Sequence, residues 1–429
     1  MKHVDETIFA LSSGSPPAAI AVIRISGTAA RHALEALAGR VPAARRASYA
    51  VLRDPGSGEL LDRALILWFP GPNTATGEDL AELHLHGGRA VVAGVAAALG
   101  RMESLRAAEP GEFTRRAFMN GRIDLAEAEG LGDLLSSETR SQRLAALQLV
   151  GGALSRQVEE WQETLLRIAA NVEALLDFSD EDDVTADVGA SIAEAVSNLS
   201  DRISAMLFRP PAERLRDGII VVLAGPVNAG KSSLINALSQ REVAITSDIP
   251  GTTRDLVEAP VSFSGVPFRL VDTAGLRDSS DRIESIGVDK AKRALDQADI
   301  VLWLGSAGES PGRCEVITVA TKSDIVGPDR WADVSVSAVT GQGLDALVAL
   351  LVKRGSSILP AEGEVALNAR HRALLADCVQ NLEMAKHEND LLIVAEHLRL
   401  ARVGFDAVTG RAGVENMLDA LFGRFCIGK

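Results

Sequence analysis

The residues GPVNAGKS at positions 225–232 constrain the fold of this 429-residue chain more than any other stretch. They fit G-x-x-x-x-G-K-S and stand between a short continuous apolar run, 219–223, and a helical pattern over 233–238. A strand, a glycine-bearing turn and a helix in that order form a phosphate cradle. The glycines let backbone N–H groups face the anion, and the helix N-terminus favours negative charge. Lys231 is placed to neutralise β- and γ-phosphates, and the Ser232 hydroxyl suits a Mg²⁺ position. A second continuous apolar run at 301–304 reads as another buried parallel strand. Strand and helix patterns alternate to about 353, which predicts a doubly wound sheet over 217–355.

Four further stretches follow in a fixed order. Asp272, Thr273, Ala274 and Gly275 come after a strand pattern at 268–271, offering a carboxylate near Mg²⁺ and a glycine amide near the γ-phosphate. Before them, Gly251, Thr252 and Thr253 place hydroxyls on a loop able to close over the metal, as the ordering switch of GTPases does. Thr321, Lys322, Ser323 and Asp324 follow the run 316–320, and Ser337 and Ala338, with Val339 next, follow 334–336. In that order these are the five motifs of a GTP-binding domain. The Asp324 carboxylate can accept from both N1–H and the 2-amino group of guanine, which adenine does not offer. The usual guanine motif begins with Asn, which ties its loop to the phosphate loop; Thr321 stands there instead. After Gly275 comes Leu276, which cannot orient a water. Arg277, Asp278, Asp281 and Glu284 lie on the same segment, and each alone reads more readily as a solvated charge than as a catalyst.

Around this core the texture differs. Residues 1–120 alternate short apolar runs with Gly and Pro, reading as an α+β domain with strands at 18–25 and 65–69 and helices at 28–37 and 89–99. From Asp124 to about 216, Leu125, Ala128, Leu131, Leu134 and later apolar residues recur at helical spacing, interrupted by an acidic break at 177–183 that matches no EF-hand. Helical spacing resumes over 356–429. The simplest topology inserts the nucleotide domain into a helical domain made of 121–216 and 356–429. The net charge is −14, of which residues 1–120 carry +1 and the remainder −15. Such a chain has little non-specific attraction for phosphate backbones, so a nucleic-acid contact must be local or shared. Cys314, Cys378 and Cys426 are scattered without metal spacing, suiting a reducing cytosol, and no apolar run reaches bilayer length. His84 and His86 point to one side of an extended segment, but no further ligand follows at metal spacing; packing is the preferred reading.

The chain resembles the MnmE (TrmE) family of tRNA-modification GTPases. The resemblance rests on the terminal FCIGK (425–429), on GPN (71–73), TGED (76–79), HGG (86–88), PGEF (110–113), RAF (116–118) and DLA (124–126), and on the phosphate loop and 248–255. It covers essentially the full length. It implies an N-terminal domain that binds a tetrahydrofolate derivative and dimerises, a discontinuous helical domain and an inserted Ras-like G domain. With an FAD-dependent partner, MnmG, in a heterotetramer, such proteins install an aminomethyl or carboxymethylaminomethyl group on carbon 5 of the wobble uridine of certain tRNAs. The one-carbon unit comes from 5,10-methylenetetrahydrofolate, of which 5-formyltetrahydrofolate is an analogue. GTP hydrolysis accompanies this and is stimulated by potassium.

The resemblance also implies roles for residues. Asn228, Ser247, Ile249 and Thr252 match potassium ligands, Ser232 and Thr253 match Mg²⁺ ligands, and Glu284 matches the water-orienting carboxylate. Ala229, Gly230, Ser233, Asp248, Pro250 and Gly251 fall within the matching GTP-contact loops. Arg24, Glu82, Arg122 and Lys429 match folate contacts, with Lys429 reaching the N-terminal domain across the dimer. Cys426 matches a proposed nucleophile, with a merely packed thiol as the equal alternative. Two other readings compete: a ribosome-assembly GTPase, which would usually append a basic RNA-binding module not visible here, and a folate-dependent one-carbon transferase regulated by its G domain.

Overall fold

The computed structural model describes residues 6–177, 185–241, 258–273, 293–305, 315–327, 329–412, 418, 421–423 and 425–428. The chain divides into two compact units, one of residues 1–132 with 409–429 and the other of 133–408.

The first unit is built on a six-stranded sheet. Its strands are β1 (Thr7–Leu11), β2 (Ile20–Ser26), β3 (Ser48–Arg53), β4 (Leu60–Phe69), β5 (Leu80–His86) and β6 (Leu105–Ala107), in the order β3-β4-β5-β2-β1-β6. All neighbours are antiparallel except β1 and β6. The alternation in β2 explains its orientation: Ala21, Ile23 and Ile25 are buried, while Val22 and Arg24 face the other way. The buried side joins Leu34 and Leu37 of the helix Ala30–Ala38, and Val95 and Leu99 of the helix Arg89–Gly100, in one core. On the opposite side, Ile8 and Ala10 of β1 join Ala108 and Phe113 in a smaller cluster, beside which the polar side chains of β2 and β5 lie.

Residues 409–429 fall within this unit. Leu418, Phe422 and Phe425 have no core of their own and cluster with Leu125 and Ala128 of the helix Leu125–Ser136. The Phe422 ring lies 6.3 Å from Phe118 and 6.1 Å from Phe425. Burial of these aromatic rings, each worth a few kcal/mol, fixes where the chain ends.

The second unit contains the expected nucleotide sheet. Strands β7 (Ile219–Ala224), β8 (Glu258–Phe263), β9 (Val266–Asp272), β10 (Ile300–Trp303), β11 (Glu315–Ala320) and β12 (Val334–Ser335) lie in the order β12-β11-β10-β7-β9-β8. Ile219, Val221, Val222 and Leu223 are fully buried, as a parallel strand covered on both faces requires. The sheet departs from the expectation at one edge: β8 is antiparallel to β9. Ser264 and Gly265, both at positive φ (51° and 81°), make the tight turn between them. Pro260 inside β8 is tolerated because an edge strand need not donate on its outer side.

Helices from before and after this sheet pack on one another, as an inserted G domain demands. The helix Thr185–Leu207 packs against Ala153–Asp177 and Ala369–His387. Trp161 stacks 6.0 Å from Phe405 of the helix Leu391–Thr409, and Ser200 Oγ donates to Glu383 Oε1 at 2.6 Å. Among the described residues no helix is long and apolar enough to cross a membrane.

Candidate functional site

The residues that follow the carboxyl ends of β7, β9, β11 and β12 (225–230, 273, 321–324 and 336–339) lie at one end of the parallel strands of the nucleotide sheet. β7 has parallel neighbours on both sides, β9 on one and β10 on the other, so the strand order reverses there. That crevice is where doubly wound sheets bind ligands.

Gly225 opens the phosphate loop at φ 147°, and a Cβ there would press to 3.0 Å on the Leu304 backbone. Asn228 is left-handed at φ 62°, which asparagine tolerates better than most residues. Lys231 is 7% exposed and folds back over the loop, its Nζ donating to the carbonyls of Gly225 (2.9 Å) and Pro226 (2.8 Å). Lys231 also begins the helix Lys231–Arg241, so Ser232 and Ser233 lie in its first turn. Ser232 Oγ donates to Asp272 Oδ2 at 2.5 Å, so the two oxygens converge. Hard oxygen donors of this kind suit Mg²⁺. Thr273 is held by its hydroxyl, which donates to the Leu223 carbonyl at 2.7 Å.

The replacement of Asn by Thr321 does not free the guanine loop. Thr321 Oγ1 donates to the Ala229 carbonyl at 2.7 Å, and Lys322 Nζ donates to the Asn228 carbonyl at 2.9 Å. The base loop is therefore tied to the phosphate loop at two successive carbonyls, beside Gly230. Lys322 is left-handed at φ 59°, and the turn Ser323–Val326 follows it, presenting Asp324 to solvent. Ser337 is fully buried and its N–H donates to the Gln342 carbonyl, while Ala338 is half-buried and Val339 exposed. Ser247, Asp248, Ile249, Pro250, Gly251, Thr252, Thr253, Ala274, Gly275, Glu284 and Lys429 lie outside the described residues.

A second polar site lies on the face of the first unit's sheet that carries Arg24 and Glu82. The β2–β5 register sets Arg24 opposite Glu82, and the guanidinium donates to Glu82 Oε1 from Nη2 (2.9 Å) and Nε (3.2 Å). Burial pushes the Glu82 carboxyl up, but the hydrogen bonds from Arg24 and His84 outweigh it and hold the group below its ordinary value. The Arg24 guanidinium carbon lies 6.0 Å from the Phe113 ring centroid. Arg122 is exposed, with its Cγ against the Gly77 turn instead. The two histidines are hydrogen-bond partners of carboxylates rather than packed core: His84 Nε2 lies 3.2 Å from Glu82 Oε2, and the exposed His86 sets Nδ1 2.8 Å from Oδ1 of the buried Asp62. Among the described residues no group of three or more His, Cys, Asp or Glu could hold a metal ion.

Cys426 is exposed, and its neighbours are fixed to the N-terminal strands. Ile427 bridges Pro110, and Ser12 Oγ donates to the Gly428 carbonyl at 2.8 Å. Gly428 sits at φ 98°, where a Cβ would collide with the Leu11 carbonyl. Within this chain the left-handed Gly410 (φ 80°) packs on Leu125 and Phe118. Cys378 is a different kind of thiol: burial pushes it up to about 12, so it stays protonated.

One constellation was legible only as family signatures. Glu112 of the helix Glu112–Met119 takes hydrogen bonds from Arg106 (2.6 and 2.8 Å), Arg116 (3.1 Å) and the Glu109 N–H (2.9 Å). Arg116 continues to Glu78 Oε2 (3.0 Å), which accepts from Ser26 Oγ (2.8 Å). The PGEF, RAF and TGED stretches thus interlock through charge. The signal was available: Glu112 and Arg116 are four residues apart on one helix, flanking Phe113.

Comparison with known proteins agrees with this anatomy. Residues 7–122 match the family described as GTP-binding protein TrmE N-terminus, and residues 125–426 match the MnmE helical domain. The tRNA modification GTPase MnmE of Erythrobacter litoralis is 58% identical over 425 residues, covering 99% of this chain and 100% of that protein. The proteins of the same name from Rhizorhabdus wittichii and Novosphingobium aromaticivorans are 57% and 55% identical, each across 99% of this chain and at least 97% of their own length.

Proposed function

The chain belongs to the MnmE family of tRNA modification GTPases, and from that premise we propose that it hydrolyses GTP in modifying carbon 5 of the wobble uridine of certain tRNAs. The observation that carries this reading is the convergence of the 225–232, 272–273, 321–324 and 337–339 segments at one switch point, with Lys231, Ser232 and Asp272 within it. Asp324 reads guanine, Lys231 neutralises the phosphates, and Ser232 with Thr253 holds Mg²⁺. Mg²⁺, when bound, spreads the developing negative charge of phosphoryl transfer. Asn228, Ser247, Ile249 and Thr252 hold potassium, and Glu284 orients the attacking water in place of Leu276.

The N-terminal site takes the folate. Folates carry an anionic glutamate tail and a pterin rich in donors and acceptors; Arg24 and Arg122 can pair with carboxylates, and Glu82 can accept from the pterin amino group. Lys429 supplies a further cation, and Cys426 is held beside the same strands. The working assembly is a cytoplasmic homodimer with the FAD-bearing MnmG. Nucleoside analysis of tRNA from a strain lacking this chain tests the whole reading; an unchanged wobble uridine would refute it.

Two narrower tests separate its parts. Asp324→Asn replaces an acceptor by an amide donor that matches the additional carbonyl of xanthine. Its preference should move from GTP to xanthosine triphosphate, and undiminished preference for GTP would fail the base assignment. Turnover in potassium should exceed turnover in sodium at matched ionic strength by at least about tenfold, because a cation at Asn228 stabilises charge that develops in the transition state. Equal rates would remove the potassium site.

A further inference from the structure

The base of the nucleotide sheet rests on the first turn of one helix, Arg140–Val150. Thr139 and Gln142 form a reciprocal capping box there: Thr139 Oγ1 accepts from the Gln142 N–H at 3.2 Å, and Gln142 Oε1 accepts from the Thr139 N–H at 2.9 Å. The amide end of Gln142 then reaches out of the helix. Its Nε2 donates to the carbonyls of Leu215 (3.0 Å) and Arg216 (3.2 Å), in the link that enters β7. Beside it, Ser141 Oγ donates to the Gly265 carbonyl at 2.5 Å, at the tip of the β8–β9 turn. Ala145, one turn further on, packs against the core of the sheet.

These two attachments hold the strands that end at the nucleotide. β7 runs from the Gln142 attachment into the phosphate loop. β9 runs from the Ser141 attachment to Asp272, roughly 20 Å away for a strand of this length. β8 follows Thr252 and Thr253 in sequence. A paired, hydrogen-bonded ribbon is stiff along its length, so a displacement at its nucleotide end reaches the turn. A small cavity lined by Asp133, Ser137, Gln142, Ala146 and Leu149 adjoins the cap.

We infer that Ser141 and Gln142 are positioning residues that transmit the nucleotide state of the G domain to the helical domain. Neither belongs to the phosphate, base or folate sites. The inference rests on the GTPase reading above and adds to it the route by which hydrolysis is coupled to modification.

The test uses the full-length chain with Ser141→Ala, Ser141→Thr, Gln142→Ala and the double variant Ser141→Ala/Gln142→Ala. Hydrogen exchange over 138–150 is measured with GDP and with a non-hydrolysable GTP analogue, alongside GTP turnover and tRNA modification. In the unaltered chain the two nucleotides should give different exchange in this segment. The double variant should lose that difference, keep GTP turnover within about twofold and modify tRNA at least about tenfold more slowly. Ser141→Thr, which keeps the hydroxyl, should restore coupling. Ser141→Ala spares the cap, so it reports on the β8–β9 attachment even if Gln142→Ala unwinds the first turn. Persistence of the nucleotide-dependent difference in Ser141→Ala and the double variant, or normal modification by both, would overturn the inference. Failure of the unaltered chain to hydrolyse GTP would instead overturn the GTPase reading, and the relay with it.

Discussion

Glu112→Ala should destabilise the N-terminal unit by about 3 kcal/mol while leaving GTP hydrolysis intact. Glu112 is the hub of a largely buried network: its side chain is 11% exposed, that of Arg116 10% and that of Arg106 26%. Alanine would remove the carboxylate both guanidiniums share and the four hydrogen bonds it accepts; Arg116 keeps Glu78 and Arg106 keeps Glu6, so the cost is that of charge-assisted bonds lost in a poorly solvated site, more than a surface pair is worth. Burial pushes the Glu112 carboxyl up, but hydrogen bonds from Arg106 and the Glu109 N–H, with the Arg116 charge, hold it below its ordinary 4.5. A carboxyl depressed in the folded state stabilises above its unfolded value, and that contribution fades as the pH falls through the folded one. Acidification below about pH 4.5 should therefore weaken this unit in the unaltered chain, and less steeply in the variant. Urea titration followed by hydrogen exchange within residues 6–132 measures both effects. A loss under about 1 kcal/mol would put the network among solvent-screened pairs.

The two units were not equally legible in the sequence, for a physical reason. β7 and β10 are covered on both faces, so each appears as an unbroken apolar run that needs no partner to be recognised. The phosphate loop is local as well, its turn and helix written in consecutive residues. The N-terminal sheet has one face only partly covered, so β5 interleaves Glu82, His84 and His86 with apolar positions and carries a weaker signal. Its decisive contacts are non-local: Arg24 and Glu82 are 58 residues apart, and only strand pairing brings them together. The Thr321 tie is likewise a contact across 92 residues, invisible in a motif that shows only a missing Asn. β8 was hidden by Pro260, which argues against a central strand but permits an edge.

Removal of residues 426–429 should abolish tRNA modification while GTP turnover stays within about twofold, because no part of the nucleotide site lies there. The deletion takes away the Ile427 bridge to Pro110 and the Gly428 carbonyl that accepts from Ser12, yet leaves Phe425 in its cluster with Phe422 and Leu125. The unit should thus stay folded, losing the tail that runs beside β1. That tail lies close to the proposed folate site through the sheet itself: Ala10 pairs with Arg24, and the Ser12 N–H donates to the Val22 carbonyl at 2.8 Å. Loss of Lys429 should weaken 5-formyltetrahydrofolate binding, read by calorimetry. Loss of the exposed Cys426 thiol should act on modification alone, so Cys426→Ser separates the two: it should bind the folate normally, and it should modify tRNA poorly only if the thiol reacts. Unaltered folate affinity together with normal modification in the truncated chain would show that the terminal segment serves only to close the fold against Pro110 and Ser12.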